Sequence, residues 1–533
     1  MRVGSKSPGA SPARSLLALT AIVGLGLALR LWGIRYGLPH PNARPDEDVL
    51  LAKVSGFDTG DLNPHWFMYP TFYLYALYGW LKALLAGAYV LGLAPRPGTL
   101  ADVAREFPAR LYVLSRLFSV ALGTATVAVT FLLGRAVWNA RAGLTAALLL
   151  SVAFLHVRDS HFAKPDVALA LCTTAALLAC VRLERRPSLA AAAVAGVACG
   201  LAVAIKYDVS LLVPLVVVAV VAGRAGAIGR VGAATVAVVV TVIAASPYLL
   251  LDYRTFAGWM AYARLLAEYG GEGVGTGFWY HWQNSLVRAH GLAFALAAVA
   301  ALVWNARLRP LLPVTLFLVA AIVRLGVSSL AYTRYFTPLL PAFAVTVAIA
   351  IDRVGVALPG GRAVRGAVTA VLLMLVAARP LANTIRFDTL AARPDTRLLA
   401  RAWLEAHVPP ASTILVLGSP WPYTFGDPVL DGYRVRRNPT LDPALGVRWV
   451  VTTEHPVPFS QLPAGFGELK PRLRLVATFS PFADGDVAPA DAVFEMRDAF
   501  YLPLAGFDGM VRGGPVIHVY SVSRDGSGAD ADG

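Results

Sequence analysis

This chain is poor in charge. Only 15% of its 533 residues are Asp, Glu, Lys or Arg, against 57% hydrophobic, and the mean hydropathy is +0.61. A soluble protein of this length would carry more charge, so the composition points to a polytopic membrane protein. Cysteine is scarce too: Cys172, Cys180 and Cys199 lie in apolar segments, with no paired spacing and no His nearby. That argues against a disulfide framework and a zinc-finger type site. No P-loop, Gly-rich dinucleotide fingerprint or internal repeat occurs. The net charge of +15 does not indicate nucleic acid, because the basic residues fall in short loops between apolar runs, the pattern of membrane orientation.

What is present is long apolar helix. A hydrocarbon core of about 30 Å takes roughly 20 such residues. Spans are expected at 16–38, 116–134, 142–157, 165–181, 188–205, 209–223, 231–247, 289–304, 311–330, 336–351 and 364–379, about 11 in all. The first is read as uncleaved, being too long for a signal peptide and lacking a small-residue cleavage site. Segment 71–93 is apolar but full of Tyr, Trp and Gly, with Lys82 inside it. Orientation decides its reading. If the N-terminal Arg2, Lys6 and Arg14 lie inside and 71–93 does not cross, five basic loops fall on the cytoplasmic side. They are Arg135/Arg141, Arg182/Arg185/Arg186, Arg224/Arg230, Arg307/Arg309 and Arg353/Arg362/Arg365. A crossing 71–93 would flip them all outside, against the positive-inside rule. It is therefore read as interfacial or re-entrant helix anchored by its aromatics. All 9 His then lie on the outer side, with Glu184 and Asp352 the only acids in the cytoplasmic loops.

This gives a cytoplasmic tail 1–15 and a membrane domain 16–380 with a first outer loop 39–115. An extracytoplasmic α/β domain follows over 381–524, then a disordered tail 525–533. In the α/β domain, Asp395 to Trp403 reads as an amphipathic helix stopped by Pro409-Pro410. Short β-branched runs at 413–417, 448–453, 474–478 and 516–522 read as strands. The fold class is thus α-helical polytopic membrane protein with a small C-terminal α/β domain.

The ionisable residues near hydrocarbon mark the candidate site, since each is costly there without a function or a partner. Pro45-Asp46-Glu47-Asp48 sets adjacent carboxylates just beyond the first span. A carboxylate beside another under a partly buried roof is suited to general-base work, or the stretch is a solvated loop. His156-Val-Arg158-Asp159-Ser-His161 leads to Lys164-Pro165-Asp166 between two apolar runs. There Asp166 either serves the helix dipole or faces the same pocket as Asp46 with His161, a hydrogen-bond partner rather than a metal ligand. Lys206, before Tyr207 and Asp208, calls for an anion, either Asp208 or a lipid phosphate. Arg334, before Tyr335, either snorkels in an aromatic belt or binds phosphate with fork geometry. The Gly-rich stretch 270–277 resembles a flap, and Trp279, Tyr280 and Trp282 around His281 either stack on sugar or sit at the interface.

Taken in order, these motifs resemble the GT-C glycosyltransferases of family 39, which include protein O-mannosyltransferases and aminoarabinose transferases. The matching residues are Pro45-Asp46-Glu47, Gly60 to Pro64 with Tyr69-Pro70, His156 to His161 ending in Asp166, and Gly200 to Lys206-Tyr207. Ser246-Pro-Tyr248, Arg334-Tyr335 with Pro341, and Asp395-Thr-Arg397 with Trp403 complete the set. The resemblance implies a polyprenyl-phosphate sugar donor, an acceptor on protein, lipid or polysaccharide, and an active site on the outer face of the plasma membrane. It implies Asp46 as base, aided by Glu47 and Asp166. Lys206 and Arg334 would hold the donor phosphate, with Tyr207, Tyr335, His161, Arg158 and His281 around the substrates. No metal ligands are assigned, and a divalent cation stays open as the one cofactor. Met68-Tyr69 before Pro70, and Val49 after the acids, depart from aminoarabinose transferases and argue against that donor and a metal site. A transporter or lipid flippase using the same charges is the alternative; repeat symmetry and charges at mid-span would favour it.

Overall fold

A computed structural model describes residues 12–93, 98–207, 209–222, 224–269, 277–419, 424–437, 447–498 and 500–522. The expected flap over 270–276, the tail 525–533 and Asp208 lie outside the described residues. Two compact units divide the chain: Met1–Leu31 with Val49–Ile385, and Trp32–Asp48 with Arg386–Gly533.

The first unit is helical. Among the described residues 7 helices are long and apolar enough to cross a membrane, or 8 if Ala140–Ser151 and Phe154–Ser160, bent by 60°, form one span. Leu189–Ile205, Val209–Val221 and Leu292–Asn305 are shorter apolar helices on runs where spans are expected. The chain is a multi-pass membrane protein. The expected straight span 142–157 is instead the bent pair, its break at Val152-Ala153 bringing His156 and Arg158 into the interior. Local signals set several starts: Asn139 and Ser188 accept backbone N–H groups as N-caps, and Pro165 opens Pro165–Arg185. Gly196 lets Leu189–Ile205 close on Ala227–Ala245, since a Cβ there would sit 2.4 Å from the Ala234 carbonyl oxygen.

Segment 71–93 contains one helix, Phe72–Val90. Its Lys82 is explained by Asp58, 2.9 Å away, which also accepts from the Tyr78 hydroxyl at 3.0 Å. At the opposite chemical extreme, Glu184 takes Arg224 at 2.9 Å, and Asp352 accepts from Trp138 Nε1 and Asn139 Nδ2, both at 2.8 Å. Both acids of the expected cytoplasmic loops are thus structural partners.

The second unit contains a 5-stranded sheet of β1 (Thr413–Leu417), β2 (Arg434–Arg436), β3 (Trp449–Glu454), β4 (Leu473–Phe479) and β5 (Val516–Val522), in the order β2-β1-β3-β5-β4. β1 is parallel to β2 and β3, whereas β5 is antiparallel to β3 and β4. Period-2 alternation gives the sheet two apolar faces. Ile414, Val416, Val451 and Val519 pack with Ala400 and Leu404 of the Thr396–His407 helix, while Leu415, Leu417 and Val450 pack with Phe466 and Leu469. β2 has no apolar signature, being Arg-Val-Arg at the sheet edge, and is a strand beyond those expected.

Candidate active site

Polar side chains of the first unit gather where Phe154–Ser160 meets Pro165–Arg185. All of Phe154–Ser160 is buried, so its ionisable groups need partners. Arg158 pairs with Asp159 at 2.7 Å, and the Thr337 hydroxyl donates to the other Asp159 oxygen at 2.6 Å. That bond ties the segment to the 3-10 helix Thr333–Leu339. Arg30 meets His156 Nδ1 at 2.8 Å and donates to the Gly26 carbonyl at 2.7 Å. His161 donates from Nδ1 to the Val157 carbonyl at 2.9 Å, which turns that side of its ring to the helix backbone.

Lys164 caps Pro165–Arg185 in extended backbone, and Asp166 sits in the first turn, where the helix dipole favours a carboxylate. Lys206 ends Leu189–Ile205, and its Nζ donates to Asp166 Oδ1 at 2.6 Å. Both side chains are buried, 8% and 2% exposed. Lys206 therefore finds an anion 40 residues away in sequence, which neither reading of its neighbourhood named. Asp166 Oδ2 is buried without a hydrogen bond among the described residues, and the charges of Arg334 and Lys164 also act on this carboxylate.

Aromatic faces hold the cations. Arg334 lies 4.1 Å from the Tyr332 ring centroid and 5.7 Å from that of Tyr335. Lys206 Nζ is 4.3 Å from Tyr335 and 5.8 Å from Tyr69. A ring quadrupole fixes a charge in place without using its hydrogen-bond donors. Little in the sequence marks Tyr69 and Tyr332 as site residues beyond their adjacency to Pro70 and Arg334. Tyr207 packs on Phe256 at 6.1 Å.

Two residues beyond Arg334, Phe336 borders a cavity of about 450 Å³ lined by Phe278, Trp279, His281, Trp282, Phe343 and further apolar side chains. His281 stacks on Phe336 at 5.7 Å and shares a 2.9 Å hydrogen bond with Ser285. Gly326 makes room for the Phe278 ring, because a Cβ there would lie 2.4 Å from it. No group of three His, Cys, Asp or Glu suited to a metal occurs among the described residues.

Asp46 and Glu47 belong to the second unit. Asp46 is half-buried with φ 72°, the left-handed region that costs an L-residue about 1–2 kcal/mol. Such strain marks positions where the surroundings dictate the backbone. Glu47 is fully buried and opens the Glu47–Gly56 helix, with Asp48 in the same first turn.

Residues 113–251 match the family described as dolichyl-phosphate-mannose-protein mannosyltransferase. ArnT from Cupriavidus metallidurans bound to undecaprenyl phosphate is similar in structure at a TM-score of 0.54 and 16% identity, over 97% of this chain and 99% of that one. Its apo state gives 0.51 and 15%, over 96% and 98%. No curated protein matches the sequence. These likenesses show the fold, a membrane helical domain with a C-terminal sheet as in ArnT.

Proposed function

We propose that this membrane protein of GT-C fold is a glycosyltransferase. It moves a sugar, hexosyl or pentosyl, from a polyprenyl phosphate to an acceptor hydroxyl at the extracytoplasmic face, with inversion. The reading is carried by Lys206 and Arg334 standing on Tyr335 and Tyr332 beside an apolar cavity bordered by Phe336. A lipid phosphate asks for that combination: cations for the headgroup and an apolar slot for the isoprenes that follow it.

Asp46 takes the proton of the acceptor hydroxyl as its oxygen attacks the anomeric carbon. The bond from that carbon to the phosphate oxygen breaks, and its electron pair leaves with the polyprenyl phosphate. Negative charge grows on that phosphate, so Lys206 and Arg334 act where preorganised cations lower the barrier. Asp166 orients Lys206 through their 2.6 Å contact, and Glu47 supports the base from the first turn of its helix. Lys164 and Lys206 stand at helix ends, which favours this reading over a transport pathway with charges at mid-span.

Lipid-linked and envelope glycans of a deletion strain identify the donor sugar and its destination. With that donor, purified Asp46→Asn is expected to bind undecaprenyl phosphate normally and to transfer sugar about 10²- to 10⁴-fold more slowly. Transfer at the wild-type rate by the folded variant rejects the assignment.

A further inference from the structure

The segment Trp32–Asp48, which carries Asp46, contains neither a strand nor a complete helix. Its backbone is a run of tight turns: Tyr36 N–H to the Gly33 carbonyl at 2.9 Å, Leu38 to Arg35 at 3.0 Å, His40 to Gly37 at 2.9 Å and Ala43 to His40 at 3.2 Å. Turns of this kind set local direction. Side chains from the far end of the chain take hold of the segment at several points.

His40 Nδ1 accepts the Asn42 N–H at 3.1 Å, so Nε2 carries the hydrogen and donates to the Asp427 carbonyl at 2.8 Å. Arg44 pairs with Asp498 at 2.7 Å, their side chains 2% and 5% exposed, and its guanidinium lies 4.6 Å from the Phe500 centroid. Arg397 is fully buried. Asp395 grips its Nε and Nη2, each at 2.8 Å. Its Nη1 then donates to the carbonyls of Phe425 at 2.6 Å and Asn42 at 3.3 Å. Tyr36 meets Phe500 edge-on at 5.6 Å. Asn42 and Arg44 thus fasten the chain four and two residues before Asp46.

We infer that Arg397, the Arg44–Asp498 pair and His40 are positioning residues for Asp46, so that the sheet unit holds the base in its pose. This rests on the reading of Asp46 as base. On this account the C-terminal unit is part of the catalytic apparatus rather than an accessory for acceptor capture. The fork of Arg397 is suited to that task, since two of its nitrogens are locked on one carboxylate while the third is aimed at the backbone.

The test uses the full-length protein, with Asp498→Asn made in wild-type and in Asp46→Asn backgrounds. Hydrogen exchange at 42–48 should quicken in Asp498→Asn while the membrane helices stay unchanged. In the wild-type background kcat should fall about 100-fold, the cost of a misplacement near 1 Å, with the donor KM unchanged. In Asp46→Asn no further fall is expected, because the misplaced base is already gone. Arg44→Lys should retain less than half the rate of wild type, since an ammonium cannot reproduce both the pairing and the stacking on Phe500. Asp508→Asn, which removes an exposed partner of Arg386 in the same unit, should leave rate and exchange alone. Equal falls in both backgrounds, or unchanged rate and exchange in folded Asp498→Asn, overturn the inference. A wild-type rate for Asp46→Asn instead overturns the base assignment, whatever the exchange data show. If Asp498→Asn fails to fold, His40→Ala loosens the same segment through one neutral bond and carries the same readouts.

Discussion

Lys206→Met is the most informative single change, because stability and donor binding should respond to it in separable ways. The ammonium and the Asp166 carboxylate stand 2.6 Å apart, an attraction of about 6 kcal/mol at an effective dielectric near 20. Much of that offsets the several kcal/mol that each ion loses on leaving water. Removing the lysine takes from a buried carboxylate the cation hydrogen-bonded to it and leaves it the charges of Arg334 and Lys164, which costs up to about 3–5 kcal/mol. The expected result is a clear drop in thermal unfolding midpoint for the detergent-purified protein. Lys206→Met/Asp166→Leu removes both charges and should recover most of that loss. Donor binding should not recover with it. A charge-assisted bond to phosphate is worth about 1.5–3 kcal/mol, so both variants should bind undecaprenyl phosphate roughly 10- to 150-fold more weakly. Wild-type stability in Lys206→Met would refute the argument from burial. Recovery of binding together with stability in the double variant would show that Lys206 does not hold the phosphate.

Gly326→Val should press on the Phe278 ring and narrow the apolar cavity, raising KM for a long polyprenyl donor far more than for a short-chain analogue; equal effects on both would separate the cavity from the lipid. His40 and His455 give the second unit a pH dependence. Burial, with Arg397 next in weight, pushes both down to about 3 from the ordinary 6.5, so between these values the unfolded chain holds more protons than the folded one. Stability is full above pH 6.5 and falls toward pH 3 by up to about 1.4 kcal/mol per pH unit for each histidine. His40→Gln should flatten that slope, and an unchanged slope in acid unfolding would count against it. For topology, a cysteine at Arg186 should label only after permeabilisation and one at Lys470 in intact cells; the reverse pattern would invert the proposed orientation.

Sequence alone was enough for whatever depends on neighbours along the chain. Apolar run length marks most of the membrane helices but neither the bend at Val152-Ala153 nor the shortness of Leu189–Ile205, Val209–Val221 and Leu292–Asn305; Pro165 and Asp395 mark helix starts, and β-branched runs mark four of the five strands. It also placed Asp166, Lys206 and Arg334 among the residues to watch, because a charge beside hydrocarbon is conspicuous wherever it falls. Tertiary structure decided who meets whom. Lys206 turned to Asp166, Arg30 reached His156 across 126 residues, and His40 found the Asp427 carbonyl across 387. It also grouped Trp32–Asp48 with the C-terminal sheet. The reason is physical: hydropathy and capping act through the local backbone, whereas a buried polar or charged group only requires some complementary partner. Which partner it gets is settled by the packing of segments far apart in sequence.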